Sequence, residues 1–467
     1  MFARRLFSTS SSSLPPTIRQ ILASNTHSTP VQVNGWIKSI RKQAKVAFAV
    51  VTDGSSSQTL QAVFTKDALA EAKNLTNGAC VRLNGTLAKS IGPGQDVELQ
   101  VDKVECLGEC TSEEYPIQKK SLNTDYLRDH CNFRARTDSI AAMLRLRSST
   151  LRGLQQYFES QEFCYAHTPI ITSNDSEGGG ETFSVTPSAP ATSSTAPAPH
   201  SDFFGRPAYL TVSSQLHLEA LAASISRVYT ISPCFRAERS QTSRHLSEFW
   251  MLEAEWAFTN SVEDVTRVVE GAVRSVMQAP SVDLQVLWKD MDPVRLEALR
   301  RAVESDVPWA RITYTQAVEE LQKHSSSFKV AAKWGDSLRS EHEQWLAERL
   351  IGGPVFVTDY PASMKPFYMR LNDDGKTVAC FDLLVPHVGE LAGGSLREER
   401  LELLKDALRK AGLREEEYAW YVELRKFGGA PHGGFGLGFE RLIRWMSGIE
   451  NVRECIAMPR WEGRMLL

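Results

Sequence analysis

Residues 228–258 constrain the fold more than any other stretch of the 467-residue chain. They read as a strand, VYTISPCFRAE, a polar loop, RSQTSRHLS, and a second strand, EFWMLEAEWAF. Alternate residues of a strand share a face. Phe249, Met251, Glu253 and Glu255 therefore lie on one side, and Trp250, Leu252, Trp256 and Phe258 on the other. The second set is core material. Two carboxylates and a phenyl ring are not. Arg236 and Glu238 share a face of the first strand, with Arg244 and His245 in the loop. A salt-bridged exposed sheet accounts for the arginines and glutamates but not for Phe249. A surface with fixed cations and one ring suits a nucleotide, arginine on phosphate and phenylalanine on base.

A second segment, PHGGFGLGFERLIRWMSG, pairs a glycine-rich strand with a helix. Gly433, Gly434, Gly436 and Gly438 remove side chains, so a flat ligand can approach the backbone. Arg441 falls in the first turn of the helix. Neither a Rossmann GxGxxG turn nor a GxxxxGK[ST] loop is present.

Composition narrows the rest. Apolar residues make up 42% and charged residues 23%, ordinary globular usage that excludes wholesale disorder, collagen and coiled coil. No apolar run reaches the ~18 residues of a membrane span. A net charge of -3 excludes a strongly basic nucleic-acid coater, so any nucleic acid must meet a local patch. Of the eight cysteines only Cys106 and Cys110 are close, and no second pair completes a zinc site; reduced thiols are expected.

From Val31 to Leu107 five short β-rich runs, with a helical stretch (Lys66 to Lys73) between the third and fourth, predict a five-stranded Greek-key barrel of the OB type. Lys38, Arg41, Lys42 and Lys45, interleaved with Trp36 and Phe48, suit RNA; a solvated charged edge around a core Trp fits equally well. Residues 111–136 read as a hinge. From Ser139 a helical pattern runs into a strand, FCYAHTPIIT, and strands and helices alternate irregularly to the C-terminus, an α+β pattern. Residues 185–201 are a low-complexity insertion, expected as a mobile loop. No Asp or Glu precedes Asp53, and the first residues are rich in Arg and Ser, the composition of an organelle transit peptide; an untargeted tail is the alternative.

FRAE followed by RHLSEFWMLEAEWAF resembles motif 2 of the class II aminoacyl-tRNA synthetases, and GFGLGFERL resembles motif 3. The helix running into the strand that ends at Pro169 resembles motif 1. Within the aspartyl, asparaginyl and lysyl subclass, RHLSEFWMLEAE, KPFYMRLNDDGKTVACFDLL, GGSLREERL and PHGGFGLGFERL are most similar to the asparaginyl members. The resemblance implies an anticodon-binding OB domain (26–110), a hinge (111–136) and a class II catalytic domain (137–467) on a mainly antiparallel sheet, after the transit peptide (1–25) that the leader's composition suggests. It implies ATP-dependent ligation of asparagine to its tRNA through an adenylate, with magnesium, in a homodimer, and the Arg-rich leader adds the expectation of a mitochondrial matrix form. Arg236, Glu238, Arg244, His245, Phe249 and Arg441 would bind ATP, with Arg236, Arg441 and Glu390 catalytic. Asp382 and Glu390 would hold the metal. Glu177 and Gln215 would grip the α-amino group, and Glu253 and Arg397 the side-chain amide. Arg41, Phe48 and Gln61 would read the anticodon. A non-discriminating aspartyl enzyme and an inactive RNA-binding paralogue are the alternatives; the lack of lysine in SSQLHLE speaks against the first, and Arg236, Glu390 and Arg441 together speak against the second.

Overall fold

The computed structural model describes residues 14–24, 28–90, 92, 95–173, 181–187, 203–279, 281–304 and 306–467. The chain divides into two units, Met1–Ala142 and Met143–Leu467.

The first unit is built on a barrel. Helix α1 (Ile18–Ala23) starts at a capping box in which the Thr17 hydroxyl accepts from the Gln20 N–H and the Gln20 side chain returns to the Thr17 N–H. Strands β1 (Pro30–Lys42), β2 (Ala47–Thr52) and β3 (Leu60–Phe64), helix α2 (Lys66–Ala72), and strands β4 (Cys80–Lys89) and β5 (Val97–Gly108) follow. The strands close in the order β1-β2-β3-β5-β4, the expected OB architecture. Val33, Ile37, Val51, Leu60, Phe64, Val81, Leu83 and Leu99 fill the interior. Ile18 and Ile21 belong to the same core, and the Ile18 N–H donates to Asp53 Oδ2 at 2.7 Å. The stretch expected as a leader through residue 25 thus overlaps folded structure from Thr17 onward. Residues 1–13 and 25–27 lie outside the described residues.

The hinge carries α3 (Thr124–Asp129). The Arg136 guanidinium lies 5.3 Å from the Trp36 ring, 5.5 Å from Tyr115 and 5.2 Å from Phe133. Trp36 is therefore neither a core residue nor an open platform for a base; a cation from its own chain stacks on it.

The second unit is a layered α+β domain. Helix α4 (Asp138–Ser160) leads to β6 (Cys164–Tyr165) and β7 (Ile171–Thr172), then β8 (Tyr209–Leu210), α5 (Gln215–Ile225), β9 (Arg227–Phe235) and β10 (Glu248–Ala257). Helices α6 (Val262–Met277), α7 (Val282–Leu287) and α8 (Pro293–Glu304) precede β11 (Ala310–Thr313), α9 (Tyr314–Lys323), α10 (Ser340–Trp345), β12 (Val355–Thr358), β13 (Cys380–Val385) and β14 (Gly389–Leu396). The chain closes with α11 (Leu401–Lys410), α12 (Ala419–Lys426), β15 (His432–Gly438) and α13 (Phe439–Ser447). Eight strands form one sheet in the order β11-β12-β13-β14-β15-β10-β9-β6, antiparallel except at β11–β12 and β6–β9. The single strand expected over 163–172 is broken: β6 pairs with β9, and β7 pairs with β8 outside the large sheet. Most of the 185–201 insertion lies outside the described residues.

Alternation along β10 holds where the strand is covered. Leu252, Ala254 and Trp256 are buried, and Phe158 of α4 stacks on Tyr229 with centroids 4.6 Å apart. It fails at the two ends. Trp250 is 36% exposed, and Phe258 lies beyond the strand at φ 65° and is 77% exposed. Neither is a core residue.

Ile18→Ala removes a fully buried side chain from the barrel and is expected to cost about 2–5 kcal/mol. Urea unfolding followed by barrel-specific signals checks it; an unchanged midpoint would mean that α1 is dispensable.

Candidate active site

The register of four strands creates the floor of the site. Glu253 of β10 pairs with Gly436 of β15, Gly436 with Gly393 of β14, and Gly393 with Asp382 of β13. A row across the sheet therefore carries a carboxylate at each end and two glycines between, roughly 14 Å in three strand steps. The same register sets Met251 opposite Gly438 and Glu255 opposite Gly434. Phe435 and Leu437 alternate with these glycines and are buried. A Cβ at Gly436 would come within 2.6 Å of the Met251 methyl carbon, so the row stays open only while that position lacks a side chain.

Two cavities sit on this floor. The first, about 320 Å³, is lined by Arg236, Glu238, Arg244, His245, Phe249 and Arg441, all six residues expected at ATP. The Arg236 guanidinium carbon lies 5.4 Å from the Phe249 ring, and His245 Nε2 lies 3.4 Å from Glu238 Oε2. Burial lowers the His245 pKa, partly opposed by Glu238 and reinforced by Arg441, Arg244 and Arg236, so its neutral form is favoured. Arg441, on the first turn of α13, donates to the Glu390 carbonyl at 2.9 Å and to its carboxylate at 3.3 Å.

The second cavity, about 210 Å³, is lined by Gln215, Glu253, Arg397, Asp382, Glu390 and Lys365. Arg236, Met251, Glu390 and Gly436 line both cavities. Glu253 is buried and accepts from the Ser213 hydroxyl and from the Ser214 N–H at 3.0 and 2.9 Å. Burial raises its pKa against these donors. Arg397 is clamped: Nε and Nη2 donate to Glu255, at 3.1 and 2.8 Å, and Nη1 donates to Ser395 at 2.7 Å. A guanidinium has five N–H groups, so Arg397 keeps donors for a ligand. Gln215 is also engaged, donating to Glu219 at 3.0 Å. Glu177 lies outside the described residues.

Behind Arg397 lies a charged cluster that the sequence reading did not single out. Glu219 accepts from Arg425 at 2.7 Å and from the Tyr421 hydroxyl at 2.6 Å, and His432 Nε2 lies 3.1 Å away. Its burial alone would raise the carboxyl, but Arg425, His432 and Arg397 outweigh that and hold it far below the usual range. The available signal was weak: Glu219 stands four residues after Gln215 on one helix, but its cations come from about 200 residues later.

Asp382 and Glu390 flank the same spot: a Cβ at Gly393 would lie 3.3 Å from one and 3.5 Å from the other. Lys365, another residue the sequence reading missed, donates to both Asp382 oxygens at 3.0 and 2.9 Å. Burial raises the Asp382 pKa despite Lys365. Burial also pushes Glu390 up, but Arg441, Lys365 and Arg236 outweigh it and the net shift is down, keeping Glu390 ionised. Among the described residues no set of three or more such ligands converges. Two hard carboxylates in this setting fit magnesium, which takes one or two carboxylates and completes its shell with phosphate oxygens and water. Glu390 is the more open ligand; Asp382 would be shared with Lys365.

In the barrel, Phe48 pairs with Arg41 and with Val63, and Gln61 pairs with Val50. Phe48 and Val50 alternate with buried Ala47, Ala49 and Val51, so Phe48 and Gln61 lie on the outer face. Gln61 donates to Glu98 at 3.3 Å, and Lys38 is ion-paired with Asp138 at 2.5 Å.

Comparison with known proteins places the chain in a family. Residues 123–462 match the family of class II tRNA synthetases (D, K and N), and residues 31–107 match the OB-fold nucleic acid binding domain. The chain is 42% identical to a Homo sapiens asparaginyl-tRNA synthetase, over 95% of this chain and 93% of that one. It is 42% identical to the asparagine–tRNA ligase of Desulfotalea psychrophila, over 96% and 98%. Its fold is similar to a crystal structure of asparaginyl-tRNA synthetase from Pyrococcus horikoshii complexed with asparaginyl-adenylate (TM-score 0.84, 26% identity, 97% and 99% covered). A family model over most of the chain and relatives 42% identical across nearly all of it lead to one conclusion: the protein belongs to the asparaginyl-tRNA synthetase family of class II aminoacyl-tRNA synthetases.

Proposed function

We propose that the chain joins asparagine to its tRNA in two steps, through an asparaginyl-adenylate, in mitochondrial translation. The observation that carries the chemistry is the sharing of Arg236, Glu390 and Gly436 by the two cavities. ATP in the first and asparagine in the second would meet at Arg236. The asparagine carboxylate oxygen bonds to the α-phosphorus, and the bond to the pyrophosphate oxygen breaks. The terminal ribose hydroxyl of tRNA then takes the acyl group and AMP leaves. No nucleophilic side chain is needed. Arg236 and Arg441 stabilise charge already fixed in place, and the sheet supplies orientation. Magnesium, held by Glu390 and Asp382 with the phosphates, would supply further charge neutralisation.

Glu253 and Arg397 would read the amide. An ionised carboxylate only accepts hydrogen bonds and a guanidinium only donates, so the pair suits NH2 at one end and C=O at the other. Aspartate would set an oxygen against Glu253. Glu253→Gln is expected to reduce the preference for asparagine over aspartate roughly 5- to 150-fold, ~1–3 kcal/mol for one mispaired polar group. Ser213 and Ser214 can still donate to the glutamine oxygen, so the fold should survive. Because burial raises the Glu253 pKa, its acceptor form is lost early as pH falls, and the wild-type preference should decline in the same direction. Adenylate formation measured with each amino acid decides; an unchanged ratio would reduce Glu253 to a structural residue.

The outer face carrying Arg41, Phe48 and Gln61 would bind the anticodon by stacking and hydrogen bonding. Phe48→Ala is expected to weaken tRNA charging by ~1–3 kcal/mol, the value of one base stack, and to leave ATP–pyrophosphate exchange intact. Equal loss in both assays would mark Phe48 as a folding residue.

We also infer a homodimer and a mitochondrial leader. Support for the dimer is the motif 1 resemblance together with the exposed Ile170 and Ile171 that follow α4. Support for the leader is the acid-free, Arg- and Ser-rich start. Since Ile18 and Ile21 are core residues, removal should stop upstream of Thr17. Protein isolated from mitochondria is expected to start after Met1 but before Thr17, and to scatter light as twice its chain mass. A start at Met1, or a monomeric mass, would remove the corresponding inference.

A further inference from the structure

The phosphate-site cations are held in different ways. Arg441 is tied to Glu390 within the site, whereas Arg244 rides on the polar loop between β9 and β10. Its Nη2 donates to Glu343 Oε2 at 2.9 Å, and its Nη1 donates to the Ser340 hydroxyl. Both acceptors lie on α10, an element from outside the motif strands. The same Glu343 oxygen accepts from the Glu390 N–H at 3.4 Å. The Arg244 and Glu343 side chains are only 17% and 15% exposed. Gly389, at φ 84°, makes room for the contact: a Cβ there would lie 2.8 Å from Arg244 Nη2. One carboxylate thus joins the loop arginine to the start of β14, which carries the acidic residue shared by both cavities.

We propose that Glu343 is a positioning residue for ATP: it aims the Arg244 guanidinium into the first cavity and fixes it relative to Glu390. This rests on the ATP reading of that cavity. The argument is one of preorganisation. An arginine on a polar loop samples many rotamers, and ordering it when ATP arrives subtracts from binding; a buried carboxylate orders it beforehand. A guanidinium has N–H groups to spare, so Arg244 can keep Glu343 and still present donors to an outer phosphate. Glu343 lines neither cavity, so it acts through Arg244.

The test is ATP–pyrophosphate exchange with Glu343→Ala, Glu343→Gln, Arg244→Ala and the double variant Glu343→Ala/Arg244→Ala, each checked for an unchanged melting profile. Glu343→Ala is expected to raise the KM for ATP about tenfold, with the KM for asparagine unchanged, and Glu343→Gln should raise it less. In the Arg244→Ala background the loss of Glu343 should add nothing, because the two act as one unit. An additive effect, an equal rise in the KM for asparagine, or a lower KM for ATP would overturn the proposal. If Glu343→Ala does not fold, Glu343→Gln and Ser340→Ala carry the same cycle. Phe249→Ala separates the two levels: if it leaves the KM for ATP untouched, the ATP reading fails, and with it the basis for Glu343.

Discussion

The backbone register of β10, β15, β14 and β13 is the constraint on which the site depends. It sets Glu253, Gly436, Gly393 and Asp382 in one line. A slip of one residue would turn Phe435 or Leu437 onto the ligand face and bury a carboxylate in the core. The packing of Phe158, Tyr229, Phe435 and Trp256 beneath the sheet opposes that slip. Core packing on one face is therefore what fixes the chemistry on the other.

Charge is distributed along this line with a purpose for each end. At the Asp382 end carboxylates face Lys365, Arg441 and Arg236, where the proposed function puts phosphates and a hard cation. At the Glu253 end the carboxylate meets a serine hydroxyl and a backbone N–H, while the adjacent Arg397 is neutralised by Glu255. Buried pairs of this kind contribute little net stability, because desolvation offsets attraction, but removing one member leaves an uncompensated charge. Their use here is orientation.

The sequence was legible where function lies within one element. The face of β10, the glycines of β15, the first turn of α13 and the five strands of the barrel all follow from local periodicity. It was illegible where contacts are long-range. Lys365 meets Asp382, Glu343 meets Arg244 and Arg425 meets Glu219 across stretches that no periodic pattern spans. Alternation misplaces Trp250 and Phe258 because it assigns a side but not whether anything covers it. Composition misplaces helix α1 because it describes a leader and says nothing of whether Ile18 and Ile21 find a core. Arg136 over Trp36 shows the same limit: basic and aromatic residues on a barrel can satisfy each other instead of a nucleic acid.

The two side chains proposed to read the amide differ in how freely they can change. Arg397 is held by Glu255 and Ser395, and behind them Glu219 binds Arg425, Tyr421 and His432, so a replacement there disturbs a chain of interlocked neighbours. Glu253 accepts from the Ser213 hydroxyl, the Ser214 N–H and the Cys234 thiol, small donors that would serve another acceptor equally well. Under the proposed reading of the amide, inherited change in substrate choice is channelled through one position: a lineage could alter residue 253 in a single step, whereas altering 397 would demand several changes together.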